Sequence, residues 1–350
     1  MNLAFRWYGE ADTIPLEYIR QIPNMKEIVS AVYDVPVGDV WSVATIRQLK
    51  KQIVAAKMVF ETVESVPIHE DIKLGKANRM TYIENYKQTL RNLAQEGIKT
   101  VCYNFMPVFD WTRTNLTYPN FDGSTALALS QAELKQLESN RSIISLPGWD
   151  ESYQLEQLRE LLQEYEHVDE ARLWENLTYF LQEVLPVAKK VGIQLAIHPD
   201  DPPYAILGLP RIITGKKSYE KLFAIDSSQA NGVTFCSGSL GAHPDNDLVE
   251  ILTYCLQKKR VHFVHLRNIQ LHKNLDFEET AHASNYGSID MVALMKLLKA
   301  YDYTGPLRPD HGRMIFGERG RPGYGLFDRA LGASYLYGVW EALNKWEERK

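Results

Sequence analysis

Four side chains able to hold a metal ion end four successive apolar runs. They are His198 in QLAIHP (194–199), Cys236 in GVTFC (232–236), His265 in VHFVHL (261–266) and Asp310 in GPLRPD (305–310). Their separations are 38, 29 and 45 positions, each about one strand-plus-helix unit. A single histidine at a strand end is ordinarily a hydrogen-bonded structural group, and a single cysteine a small buried hydrophobe. Four such residues in register at one end of consecutive parallel strands converge on a point. They would hold a divalent transition ion and leave positions open for a ligand. A thiolate with two imidazoles favours zinc, whereas an added carboxylate and open octahedral positions suit iron(II) or manganese; the residues alone leave that choice open. The strand closes on His198 because a ligand needs rigid backbone. Pro199, Pro202 and Pro203 then turn the chain away, with Asp200 and Asp201 placed to support that turn or the ligands.

The elements that must position these groups are legible in the pattern. Apolar, β-rich runs occur at 3–8, 27–32, 58–65, 100–105, 194–199, 232–236, 261–266 and 305–310. Several are almost continuously apolar, as parallel strands covered on both faces are. Helical patterns lie between them: WSVATIRQLKKQIVAAK, RMTYIENYKQTLRNLAQEG with Gly97 to end it, VDEARLWENLTYFLQEVLPVAKKVG with Pro186 inside it, and SIDMVALMKLLKAYDYTG with Ser288 as its expected N-cap. Eight strands alternating with helices predict an α/β fold, a (β/α)8 TIM barrel filling residues 1–350 as one domain. The spacing breaks once, between the fourth and fifth strands. There LSQAELKQLESN and DESYQLEQLRELLQEYEHV predict a helical insertion over about 106–168, leaving the face where barrel active sites form.

Other polar residues reach the same mouth. The first strand ends in RWYG, which places Arg6 and Trp7 there; Arg6 is either salt-bridged or an anion holder. Asn104 interrupts the fourth strand. The loop DHGRMIFGERGRPGYGLFDRALG after the eighth strand carries His311, Arg313, Arg319, Arg321 and Tyr324 among glycines that let backbone approach a ligand. CSGSLGA lacks the lysine and hydroxyl pair of a P-loop. His262 faces away from the barrel interior, and Cys102 and Cys255 read as core.

Taken together, FRWYGE, AIHPDDPP, FCSGSLGA, FVHLRN, DFEETAH (276–282), RPDHGRM and GRPGYGLFDRALGA resemble the mannonate dehydratase family. The resemblance runs from residue 5 to beyond residue 330. It implies a barrel akin to the xylose-isomerase-like enzymes and the dehydration of D-mannonate to 2-keto-3-deoxy-D-gluconate in hexuronate (glucuronate) breakdown. It implies Mn2+ or Fe2+ on His198, Cys236, His265 and Asp310, proton transfer by Tyr324 and His311, and assembly into dimers or larger forms. Arg6, Trp7, Asn104, Arg319 and Arg321 are the expected substrate contacts. Tyr324 is taken as base and His311 as acid, with the exchanged roles left open; a tyrosine base needs cationic neighbours to lower its pKa from about 10. A metal-dependent sugar isomerase or epimerase, or a non-catalytic sugar-acid binding protein, are the rival readings.

Bulk composition narrows the class. The 350 residues are 45% hydrophobic and 24% charged, with a net charge of −5, so nucleic acid is not an expected partner. MNLAFRWYGE lacks a signal peptide's basic start and apolar core, and no apolar stretch reaches bilayer length. Three cysteines are too few for a disulfide framework, which makes the cytoplasm the expected compartment.

Overall fold

The computed structural model describes residues 1–139 and 155–347. Its strands are β1 (Asn2–Arg6), β2 (Met25–Ser30), β3 (Val59–Glu64), β4 (Thr100–Tyr103), β5 (Asn115–Pro119), β6 (Thr125–Leu129), β7 (Gln194–Ile197), β8 (Asn231–Cys236), β9 (Val261–His265), β10 (Ile269–Leu271), β11 (Phe277–Glu279) and β12 (Pro306–Arg308). Eight of them close a parallel barrel in the order β1-β12-β9-β8-β7-β4-β3-β2, and all eight overlap runs picked from the sequence. The fold is the expected (β/α)8 barrel. No helix among the described residues is long and apolar enough to cross a membrane.

Strand alternation decides which residues enter the barrel. Ala4, Val29, Cys102, Ala196 and Phe263 fill the interior as their own cluster, while Leu3, Phe5, Val264 and Leu195 pack outward against helices. Continuing the two-residue period sends Arg6, His198 and His265 inward and Trp7 and His262 outward. The register then sets the level: Cys236 pairs with His265, and His265 with Arg308. β12 stops at Arg308, so Asp310 lies two residues past the strand, at a left-handed φ of 43°.

The helices end where their caps dictate. Ser42 accepts from Thr45 N at 3.1 Å and Asp169 from Arg172 N at 2.8 Å, each starting a helix. Gly192, at φ 77°, ends the second of these. The helix Met291–Ala300 differs from expectation: Asp290, not Ser288, is its cap, accepting from Ala293 N at 3.0 Å. Ser288 Oγ instead accepts from Leu271 N.

The segment between β4 and β7 carries the helices Gln131–Ser139 and Leu155–Tyr165, with 140–154 outside the described residues. It opens, however, with the antiparallel hairpin β5–β6, which the helical reading missed. That hairpin pairs with β11, from the far side of the chain, in a second sheet of order β10-β11-β6-β5.

Candidate functional site

The end of the barrel where β7, β8 and β9 finish gathers three donors. His198 Nε2 and His265 Nδ1 are 3.2 Å apart, and with Cys236 Sγ all three ligand atoms lie within 4.8 Å of one another. Burial, reinforced by the Arg308 charge, pushes His265 down to about 4, and burial also lowers His198. Both rings are therefore neutral imidazoles, the form that binds metal. Burial, with the Asp310 charge adding to it, pushes the Cys236 thiol up to about 12, so losing that proton calls for a cation beside the sulfur. Two nitrogens and a sulfur converging from rigid strand ends fit a divalent transition ion. Asp310 stands beside this trio. One oxygen is 3.5 Å from Cys236 Sγ and the other 3.7 Å from His265 Nδ1. Arg308 (2.9 Å) and Arg267 (3.1 Å) hold those oxygens.

Around the donors runs a buried charge network. Glu64 pairs with Arg6 (3.2 Å) and Arg308 (2.8 Å). Asp201 takes Arg113 (2.8 Å) and Arg267 (2.8 Å), and both arginines also reach Glu279, at 3.0 and 2.6 Å. Unpaired, any of these charges would be costly to bury. Burial works to raise the carboxylates, yet their partners win: His311 when protonated, Arg308 and Arg267 hold Asp310 well below the usual carboxylate range, and His311 in that form, Arg267 and Arg113 bring Glu279 to about 2. Asp200 supports the turn after His198, accepting from the Ile212 and Ile213 amides at 2.6 and 3.0 Å. Asp201 joins the network instead.

Glu279 also reaches the pair His311 and Tyr324. Its Oε1 lies 2.9 Å from His311 Nδ1, and His311 Nε2 lies 2.7 Å from Tyr324 Oη. Arg267 Nη1 lies 3.0 Å from the same Nδ1; with the proton on Nδ1 toward Glu279, the Nε2 lone pair faces the phenol. Burial pushes the Tyr324 pKa up, and Arg308 and Arg6 only moderate the rise.

These groups line one cavity of about 350 Å3. His198, Asp310, His311, Tyr324, Arg6, Asn104 and Arg321 are all on its wall. Arg6 is salt-bridged to Glu64 and also lines the cavity. Two expected contacts are corrected. Trp7 is outward-facing and 6% exposed in the core, its Nε1 donating to Ile14 O; Tyr8, one residue on, meets the cavity. Arg319 is exposed and off the cavity wall, whereas Arg321 lies 4.1 Å over the Tyr8 ring.

A family model for D-mannonate dehydratase (UxuA) matches residues 1–350. The chain belongs to the D-mannonate dehydratase family. A relative named mannonate dehydratase from Streptococcus agalactiae is 54% identical over 345 residues, 99% of each chain. One named mannonate dehydratase 2, from Halalkalibacterium halodurans, is 54% identical over 344 residues, 98% of this chain and 100% of the other. The crystal structure of mannonate dehydratase from Streptococcus suis superposes with a TM-score of 0.91 at 48% identity, covering 98% of this chain and 94% of that one. A xylose isomerase-like TIM barrel protein from Mycobacterium smegmatis, in complex with magnesium, shares the fold at a TM-score of 0.57 and 15% identity, covering 93% and 87%.

For this member of the D-mannonate dehydratase family, sequence reasoning missed Tyr8, Glu64, Arg267, Glu279 and Arg308. Two signals were available. Arg308 and Arg267 sit two residues from Asp310 and His265, and Glu64 ends its strand as His265 does. Glu279 lies in DFEETAH, which gave no hint that β11 would bring it to His311.

Proposed function

We propose that this chain eliminates water from D-mannonate to give 2-keto-3-deoxy-D-gluconate, using Mn2+ or Fe2+ on His198, Cys236 and His265 with Asp310 alongside. The observation that carries the reading is the His311–Tyr324 pair, backed by Glu279, on the wall of the cavity that His198 of the donor trio also lines. The cation supplies Lewis-acid neutralisation of charge building on the substrate carboxylate as the C2 proton leaves. Arg6 and Arg321, both on the cavity wall, add positive charge there, and Asn104 adds an amide.

The chain's own residues do the proton work. His311 Nε2, its lone pair exposed by the Nδ1 contact with Glu279, takes the C2 proton. The C2–H electrons form the C2=C3 bond, the C3–O bond breaks, and Tyr324 Oη donates its proton so that water leaves. Burial keeps that phenol protonated until then. The His311 proton returns to Tyr324 across their 2.7 Å contact, and the enol tautomerises to the ketone. This ordering exchanges the roles first expected. Action in the cytoplasm and assembly into dimers or larger forms belong to the same reading, and the three cysteines are free and buried.

The test is incubation of manganese- or iron-loaded protein with D-mannonate and with its C2 epimer, followed by mass spectrometry. Loss of one water from mannonate is expected. A product of unchanged mass would mean an isomerase or epimerase, and mannonate recovered intact would mean a binding protein.

A further inference from the structure

Around the closed barrel, β4 lies four strands from β12, so the segments that follow them rise from opposite sides of the mouth. The segment after β12 brings Arg321 to the cavity, over the faces of Tyr8 (4.1 Å) and Tyr324 (5.6 Å), with no carboxylate partner among the described residues. The segment after β4 brings Asp110. Its carboxylate accepts no hydrogen bond from any described residue, the Arg211 guanidinium acting on it only through space. Elsewhere on the wall, Arg6, Glu64, Arg308 and Asp310 are already paired with one another. Among the described residues the wall thus offers one uncommitted cation, from the segment after β12, and one uncommitted anion, from the segment after β4.

The loop under Asp110 is pinned in place. Lys73 Nζ donates to Met106 O at 2.7 Å, Arg211 Nη1 to Phe109 O at 3.0 Å, and Thr112 N to Asp201 O at 3.0 Å. Val108 sits between them at a left-handed φ of 62°, a conformation a β-branched residue rarely adopts unless its surroundings impose it. A free carboxylate on a backbone fixed this way is preorganised for recognition.

We propose that Asp110 sets the substrate class. It accepts hydrogen bonds from the hydroxyl tail of a sugar monoacid whose carboxylate is held on the opposite wall. It excludes sugar diacids, whose second carboxylate would meet it as a like charge. The proposal rests on the sugar-acid reading of the cavity, but not on dehydration itself.

The experiment measures calorimetric affinity of manganese-loaded protein for D-mannonate and for the six-carbon diacid of the same configuration, with Asp110→Asn alongside. Wild type is expected to prefer the monoacid by roughly tenfold or more, the scale of one hydrogen bond to a charged acceptor. Asp110→Asn, which keeps the shape and drops the charge, closes most of that gap by tightening the diacid. Equal binding by wild type, or an unchanged preference in the variant, overturns the proposal. In turnover, Asp110→Ala raises KM for mannonate roughly tenfold with kcat near wild type. A collapse of kcat at constant KM would place Asp110 in the chemistry and overturn it also. If wild type binds mannonate and returns it unchanged, the dehydratase reading fails while the affinities still decide this one.

Discussion

The floor and the roof of the cavity are built by different rules. On the floor, His198, Cys236 and His265 stand at or one residue past the ends of adjacent parallel strands, so barrel register alone brings them together. The roof is the segment after β4, which crosses the mouth until the Trp111 ring comes within 6.3 Å of His311. Among its described residues it shares no ladder with a barrel strand, only the isolated bridge between Trp111 and Asp201. Beyond that bridge it is held by side chains, above all the fully buried Arg113, which grips Asp201 and Glu279. Backbone register positions chemistry that must not move, whereas a roof tied down by side chains leaves specificity open to change by substitution.

The comparison breaks most completely if the floor is not the cation site. His265→Ala is expected to lose bound metal, by elemental analysis, and turnover together. Losing a Lewis acid worth several kcal/mol lowers kcat by roughly 10³-fold or more. Stoichiometric metal in that variant would move the site elsewhere. Next in size is the proton pair. Tyr324→Phe keeps the metal and loses about 10²–10³-fold in kcat, within what a positioned acid or base contributes. Glu279→Gln is expected to lose a similar factor by letting His311 adopt the other tautomer. Wild-type rates in Tyr324→Phe would remove the phenol from the reaction.

The same division decides what the sequence reveals. The floor was legible because a two-residue period plus one residue type at each run's end suffices to place His198, Cys236 and His265. Asp310 was read one register too generously: β12 stops at Arg308, and two arginines claim the carboxylate. Trp7 was misplaced for the same reason Arg6 was right, since alternation turns consecutive residues to opposite faces. The roof was not legible. β6 pairs on one side with β5 and on the other with β11, whose Phe277 is matched with Leu129 across 148 positions of sequence. Local helical periodicity in the neighbouring stretch carries no trace of that partner.

Arg113 joins the two regions, so removing it tests how far they are separable. Arg113→Met leaves Asp201 and Glu279 short of a buried cation and is expected to cost about 3–5 kcal/mol in chemical denaturation. Its pH dependence has a definite sign. Glu279 is brought to about 2 in the folded chain and Asp201 is also held low. Their contribution to stability is therefore complete above the ordinary carboxylate range near pH 4, and is lost as pH falls toward the folded values. Without Arg113 both values rise, and the acid-unfolding midpoint moves to higher pH. An unchanged midpoint would mean that Arg267 alone suffices and that the roof hangs on something else.

The smallest effect belongs to the tip of the hairpin. Arg313 reaches Asp122 at 2.6 Å, beside the single bridge between Thr125 and Met314 that docks the hairpin on the loop after β12. Asp122 is 33% exposed, and Arg313 keeps a second carboxylate, Asp328, at 2.9 Å. Asp122→Asn retains the acceptor for Ser124 N and removes only the charge facing Arg313. Solvent screening limits such a pair to about 1 kcal/mol or less, and salt reduces it further. Stability is expected to fall within that bound, and KM and kcat for mannonate to stay within about twofold. A larger loss of kcat would show that the hairpin transmits position through the Thr125–Met314 bridge to the loop bearing His311 and Tyr324. Roof and floor would then be one mechanical unit, and the freedom claimed for the roof would be confined to the residues around Asp110.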